Sequence, residues 1–366
     1  MLGVGALLVS YGLLTLGVAF SRVSPALLPS SRVAYPTSVL GNATTRPTLP
    51  QPDFEAERVE EGVELLNNAS LPAFSLPKMP QDDLRGNRSL CPDPSPLLLG
   101  KVGQAVLLME QLKEADVVSR YPELLPGGEW RPKHCQSRHN VAIILPYRDR
   151  QSHLNRLLDF LIPILQRQLL HFRFIVTEQY GSDLFNKGRI MNAAFELAEK
   201  LGVQCVLFHD VDMFPQDDRG PYGCPENPRH LGAYVNSLGY ELWYDYLVGG
   251  VLALSMEHYR AVNGYSNSYW AWGGEDDDMG KRLFALNFTV ERPSKEFTRY
   301  TMIKHTKRQR TSPKLVYKLL ELTEKRFPTD GLREHLWRTI KIIRKPLYYH
   351  LFVDVGNPPD AWRQKA

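Results

Sequence analysis

Between residues 140 and 209 the chain alternates apolar runs of strand length with longer stretches carrying leucine at helical spacing, and this order narrows the possible folds more than any other feature. Residues 140–145 (NVAIIL) read as a buried strand and residues 151–169 as a helix. Residues 172–177 read as a second strand, residues 186–201 as a second helix, and residues 203–209 (VQCVLFH) as a third strand. Strand–helix–strand–helix–strand order predicts an α/β domain with a parallel sheet and helices on its faces. Such sheets bind ligands beyond the carboxyl ends of their strands. That places Pro146-Tyr147-Arg148-Asp149-Arg150 and Asp210-Val211-Asp212 at a candidate site. No internal repeat is visible.

Asp210 and Asp212 lie two apart after a strand, a spacing that puts both side chains on one side of an extended backbone. Paired there, the carboxylates can hold a hard divalent cation that bridges the oxygens of a nucleotide diphosphate; the plainer alternative is a solvated Asp-rich turn. The densest signal is Trp270-Ala271-Trp272-Gly273-Gly274-Glu275-Asp276-Asp277-Asp278. Four consecutive acids repel one another unless a cation, hydrogen-bond donors or a helix N-terminus relieves them. Indole faces beside carboxylates suit a sugar, whose C–H face packs on the ring while its hydroxyls donate to the acids. The structural alternative is an acidic helix start with two packed tryptophans. Farther on, Met302 and His305 are three apart and can share one face of a turn. Imidazole is a common metal ligand, whereas thioether is soft. Lys304, Lys307, Arg308 and Arg310 around them read as a solvated basic run or as help for a diphosphate.

Composition sets the surroundings. Hydrophobic residues make up 43% of 366 and charged residues 23%, enough for a sizeable core. A net charge of +4 argues against a nucleic-acid protein. Residues 2–20 carry no charge and are long enough to cross a bilayer, as an uncleaved anchor or a long signal peptide. Residues 21–88 are rich in Pro, Ser, Thr and Asn, a linker composition, with one short helical pattern at 55–66. Sequons at Asn42, Asn68, Asn87 and Asn287 suggest a glycosylated lumenal chain. Cys91, Cys135, Cys205 and Cys224 are an even set, compatible with two disulfides in a secretory compartment.

In this order, these residues resemble the β-1,4-galactosyltransferase family, glycosyltransferase family 7. The resemblance runs from Cys91 to the C-terminus. It rests on Cys91-Pro92 with Ser95-Pro96-Leu97, on Pro146 to Arg150 in sequence, and on Phe185-Asn186-Lys187. It continues through His209-Asp210-Val211-Asp212-Met213, Gly249-Gly250-Val251 with Ala253-Leu254-Ser255, residues 270–278, and Met302-Ile303-Lys304-His305. The resemblance implies a GT-A-type nucleotide-diphospho-sugar transferase fold on a type II Golgi membrane protein. Its parts would be an anchor at 1–21, a stem at 22–90 and a catalytic domain at 91–366. It implies Mn²⁺ held by Asp212, Met302 and His305. UDP would lie at Pro146, Tyr147, Arg148, Asp149, Arg150, Phe185, Asn186, Lys187, Val211 and Trp272. Asp276 would be the catalytic base, Glu275 would orient the acceptor, and Gly274, Glu275, Asp276 and Asp277 would bind the acceptor sugar. The disulfides implied are Cys91–Cys135 and Cys205–Cys224, and the regions around Trp272 and His305 are similar to the family's mobile lids. The expected reaction is one inverting displacement of UDP by the 4-hydroxyl of terminal GlcNAc.

Two positions depart from the pattern. Galactose-specific members carry Tyr two positions before the Gly-Gly pair, where this chain has Leu247. A less polar, more open pocket there is associated with N-acetylgalactosamine transfer, which inclines the expected donor from UDP-Gal toward UDP-GalNAc. The family's Asn-Pro-x-Arg-Phe segment, which helps hold the acceptor N-acetyl group, is replaced by Thr311-Ser312-Pro313-Lys314-Leu315-Val316-Tyr317. Two other readings use the same residues. Paired acids such as Asp212 and Asp276 suit a glycoside hydrolase, which needs no nucleotide and leaves the Phe-Asn-Lys and Pro-Tyr-Arg segments without work. The Trp and acid cluster alone suffices for a non-catalytic carbohydrate-binding relative.

Overall fold

The structure, a computed structural model, describes residues 88–304 and 313–363. The expected anchor and nearly all of the stem lie outside the described residues, as do the pattern at 55–66, the sequons at Asn42, Asn68 and Asn87, and His305 with Lys307, Arg308 and Arg310. Among the described residues no helix is long and apolar enough to cross a membrane.

In chain order the elements are α1 (Glu114–Arg120), β1 (Asn140–Tyr147), α2 (Gln151–Arg167), β2 (His171–Gln179), α3 (Lys187–Lys200), β3 (Cys205–His209), β4 (Met213–Pro215), β5 (Arg229–His230), β6 (Tyr234–Val235), β7 (Val251–Ser255), α4 (Met256–Ala261), α5 (Glu275–Ala285), β8 (Arg299–Met302), α6 (Pro313–Glu321), α7 (Thr323–Arg326), β9 (Arg338–Arg344), β10 (Tyr349–Asp354) and α8 (Asp360–Arg363). Seven strands form one sheet in the order β5-β7-β3-β1-β2-β10-β9, and β4-β8-β6 form a second, small sheet. The expected parallel unit is its centre: β1 pairs in parallel with both β2 and β3, and β10 with β2. The whole sheet is mixed, because β7, β5 and β9 join antiparallel.

Alternation along β1 divides the core. Val141, Ile143 and Leu145 pack with Leu154, Leu157, Leu158, Leu161 and Leu165 of α2. Ala142 and Ile144 face the other way, toward Ile190, Met191, Ala194 and Phe195 of α3. Pro163 sits inside α2 and has no N–H to give the Asp159 carbonyl one turn back; that carbonyl accepts the Tyr121 hydroxyl at 2.8 Å instead, which joins α1 to α2.

Several boundaries move. β1 runs on through Pro146 and Tyr147, both buried, so these two lie in the strand rather than beyond it. The first predicted helix stops at Arg167, because Leu169 takes a left-handed φ of 55°. The second begins at Lys187, with Asn186 as its cap, and β3 begins only at Cys205. The disulfides are Cys91–Cys135 and Cys205–Cys224, the second linking the start of β3 to the loop before β5.

Candidate active site

Beyond the carboxyl end of β3 the chain turns at Asp210-Val211-Asp212 into β4. The two carboxylates go to different cations. Asp212 is almost wholly buried and accepts from Arg150 Nη1 at 3.0 Å. Asp210 pairs with Lys187 Nζ at 3.0 Å. Val211 is buried in the turn between them.

The small sheet brings Met302 to this turn. Antiparallel pairing sets Met213 opposite Met302, and the Ile303 N–H donates to the Asp212 carbonyl at 2.9 Å. Met302 therefore lies in a strand, not in the expected turn, and its N–H donates to Asn236 Oδ1 at 2.8 Å. Ser237 Oγ lies 3.6 Å from its sulfur. Two of the three residues predicted as metal ligands are thus neighbours, although 90 positions apart; His305 lies outside the described residues. A buried carboxylate beside a thioether, with an imidazole three residues on, is a donor set that fits a divalent transition ion such as Mn²⁺ better than Mg²⁺ or Ca²⁺, which take oxygen almost exclusively.

The four acids open α5. An acidic first turn is favourable against the helix dipole, so the helix-start reading holds for the backbone. The side chains then part. Asp278 is fully buried, bound by Arg282 Nε at 2.6 Å, Arg326 Nη2 at 2.6 Å, the Tyr269 hydroxyl at 2.9 Å and Thr323 Oγ1 at 2.9 Å. Its work is to lock α5 to α7. Asp277 accepts the Tyr244 hydroxyl at 2.8 Å, and burial raises its pKa. Glu275 and Asp276 reach back to Lys187, at 3.4 and 3.5 Å. Asp276 keeps a quarter of its side chain exposed, enough for a substrate to reach it. Burial pushes its pKa up to about 8; Lys187 opposes the rise, and Glu275, Asp210 and Asp277 add to it.

Glycines fit the acids in place. Gly274 caps α5 with φ 98°, and a Cβ there would stand 2.6 Å from the Tyr269 ring and 2.8 Å from Val316 of α6. A Cβ on Gly249 would meet Asp276 Oδ2 at 2.9 Å, so the chain just before β7 lies directly against the candidate base at Gly249. Leu247, two residues earlier, is half-buried, and its carbonyl accepts from Arg292 Nη2 at 3.2 Å.

The predicted nucleotide residues divide into those facing the site and those building it. Arg148 lies over the Phe185 ring at 5.0 Å and donates to the Asp183 carbonyl at 2.7 Å. Asp149 takes a left-handed φ of 50° at the turn leading to Arg150 and α2. The Phe185 carbonyl accepts the Ala271 N–H at 2.8 Å, tying the tryptophan segment to this edge. Trp270 is buried under the Arg189 guanidinium at 4.9 Å, whereas Trp272 is 55% exposed, so one indole is core and the other presents itself to solvent. Asn186 is fully buried: its Oδ1 accepts the Arg189 N–H at 2.9 Å and its Nδ2 donates to the Asn267 carbonyl at 2.9 Å. That side chain caps α3. Tyr147 is held by Gln151 at 3.3 Å and edges onto His350. Sequence reasoning missed Tyr244, which grips Asp277; the aromatic run Tyr244, Tyr246 and Trp243 was its one available signal.

A mixed sheet with a parallel centre, carrying acids and a metal donor set at its carboxyl edge, defines a GT-A-like glycosyltransferase. Residues 91–225 match the N-terminal region of glycosyl transferase group 7, and residues 229–306 match the N-terminal domain of galactosyltransferase. Beta-1,4-galactosyltransferase 1 of Mus musculus is 37% identical over 288 residues, 78% of this chain and 72% of the relative. Beta-1,4-galactosyltransferase 6 of Homo sapiens is 38% identical over 266 residues, 72% of this chain and 69% of the relative. The chain belongs to the β-1,4-galactosyltransferase family. Among solved structures, the catalytic domain of Drosophila beta1,4-galactosyltransferase 7 in complex with xylobiose aligns with TM-score 0.53 at 26% identity, over 62% of this chain and 98% of that one. A mutant of the same protein, solved with manganese, UDP-Gal and xylobiose, aligns equally well.

Proposed function

We propose that this protein is an inverting, Mn²⁺-dependent transferase that moves galactose or N-acetylgalactosamine from its UDP-sugar to the 4-hydroxyl of terminal GlcNAc on glycoproteins or glycolipids, with Leu247 favouring the N-acetylated donor. The observation that carries the reaction type is the partly exposed Asp276 carboxylate at the mouth of the site, a short turn of chain from Trp272 and within reach of the Asp210 turn. In the transfer, Asp276 accepts the proton of the acceptor hydroxyl as that oxygen bonds to donor C1. The bond from C1 to the diphosphate breaks, UDP leaves with the electron pair, and the α-linked donor becomes a β-1,4 product. Asp212, Met302 and His305 would hold Mn²⁺, which when bound supplies positive charge to the departing diphosphate. Glu275 orients the acceptor, Asp277 is kept in place for it by Tyr244, and Trp272 offers an indole face that excludes water. The relative solved with manganese and UDP-Gal supports the metal and the nucleotide.

The same proposal takes residues 1–21 as an uncleaved anchor and residues 22–90 as a stem, in a single-pass type II Golgi orientation with the catalytic domain lumenal. The exposed Asn287 sequon and the two disulfides support an oxidising, glycosylating compartment.

A donor comparison tests the proposal. The full-length protein is incubated with Mn²⁺, a GlcNAc-terminated acceptor and either UDP-GalNAc or UDP-Gal. Higher kcat/KM with UDP-GalNAc is expected. A strong preference for UDP-Gal overturns the role given to Leu247, and transfer from neither overturns the catalytic reading.

A further inference from the structure

Lys187 is the first residue of α3, where a cation works against the helix dipole, so its place there is not explained by helix stability. Its ammonium instead sits among three carboxylates: Asp210 Oδ1 at 3.0 Å, Glu275 Oε1 at 3.4 Å and Asp276 Oδ2 at 3.5 Å. The carboxylates come from two elements, the turn after β3 and the start of α5, so the ammonium at the start of α3 joins three parts of the chain.

We propose that Lys187 is a positioning residue for Asp276, its ammonium fastening the candidate base to the β3 turn and to α5, rather than a ligand of the donor diphosphate. This rests on Asp276 being the base.

The charges around the pair support it. Asp276 is faced by Lys187 from α3, by Asp210 from the β3 turn, by Glu275 and Asp277 on its own helix, and by Tyr265 and Tyr244. Among the charged groups Lys187 is the one that favours the carboxylate form. Burial works against the ammonium, but Asp210, Asp276 and Glu275 together raise its pKa well above the usual lysine value, so it stays charged wherever the enzyme works. A base must be deprotonated to act, so kcat/KM rises with pH through its pKa. Removing the neighbouring cation raises that pKa, and the acidic limb moves to higher pH.

The experiment is a pH profile of kcat/KM for full-length wild type, Lys187→Met and Lys187→Arg, with UDP affinity measured by calorimetry on each. The proposal expects the limb of Lys187→Met to move up by about one pH unit or more, because a unit charge at this range acts through the protein interior. It expects Lys187→Arg to keep the wild-type limb, and UDP affinity to change less than about threefold in both. A limb that stays put in Lys187→Met while UDP affinity falls tenfold or more would assign Lys187 to the diphosphate and overturn the proposal. If Lys187→Met does not fold, Lys187→Arg decides: an unmoved limb supports the proposal and a displaced limb overturns it. Asp276→Asn, run alongside, separates the two claims. Full turnover in that variant removes the base itself, whereas an inactive Asp276→Asn with unmoved Lys187 limbs removes only the role of Lys187.

Discussion

Asp276 packs against Gly249, two residues after Leu247, and the lack of a side chain on that glycine is what lets the candidate base sit there. In the proposed reading, a tyrosine at 247 would put a phenol and its hydroxyl near the donor's C2 substituent. Leu247→Tyr is therefore expected to lower kcat/KM for UDP-GalNAc relative to UDP-Gal by about tenfold, ~1.4 kcal/mol, read from parallel donor assays. Asp276→Asn cannot take the acceptor proton, and its kcat should fall by about 10²–10⁴ while UDP binding persists. In the wild type the need for an ionised Asp276 has a definite sign. With Asp276 as the base, activity is expected to fall as pH drops through about 8 and its carboxyl takes up a proton, and a pH–rate profile that is flat through that region would contradict the assignment.

The acid-bearing helix is fixed from behind. Asp278 meets Arg282 and Arg326, and Asp330 accepts from both of these arginines, so α5, α7 and the turn after α7 share one buried ionic network. Asp278→Asn leaves the buried Arg282 and the half-buried Arg326 short of charge and should cost about 3–5 kcal/mol, measured by urea unfolding. Local sequence could show that four acids open a helix, yet it could not tell which of them face solvent. The only hint at Asp278 was Arg282 four residues on. The same limit governs the fold. The centre β1-α2-β2-α3-β3 was legible to within two residues at most ends, because burial on both faces leaves a local pattern. Strands of two to four residues such as β4, β5, β6 and β8 are too short to carry any period, and β8 delivers Met302. The Lys187 junction was hidden for a different reason: it joins residues 187, 210 and 276, and no window of sequence holds all three.

At the scale of the molecule, Cys205–Cys224 closes a short loop around the metal turn, since Asp210 to Pro215 lie inside it. Replacing both cysteines with alanine should lower stability by about 3 kcal/mol, seen as a lower urea midpoint with a steeper slope, because the denatured chain without the cross-link exposes more surface. The sheet itself is closed by its last strand. β10 lies between β2 and β9, with Tyr349 opposite Ile175. During synthesis β1, β2 and β3 emerge early, and Trp130 already pairs with Phe172, but the outer edge of β2 from Ile175 to Gln179 has no strand partner until residues 349–354 leave the ribosome. An exposed apolar edge recruits other strands, so translation leaves this chain dependent on chaperones for most of its length. A stop codon anywhere before residue 349 would then yield a product that aggregates, even though every residue assigned to the donor, metal and acceptor lies upstream of it.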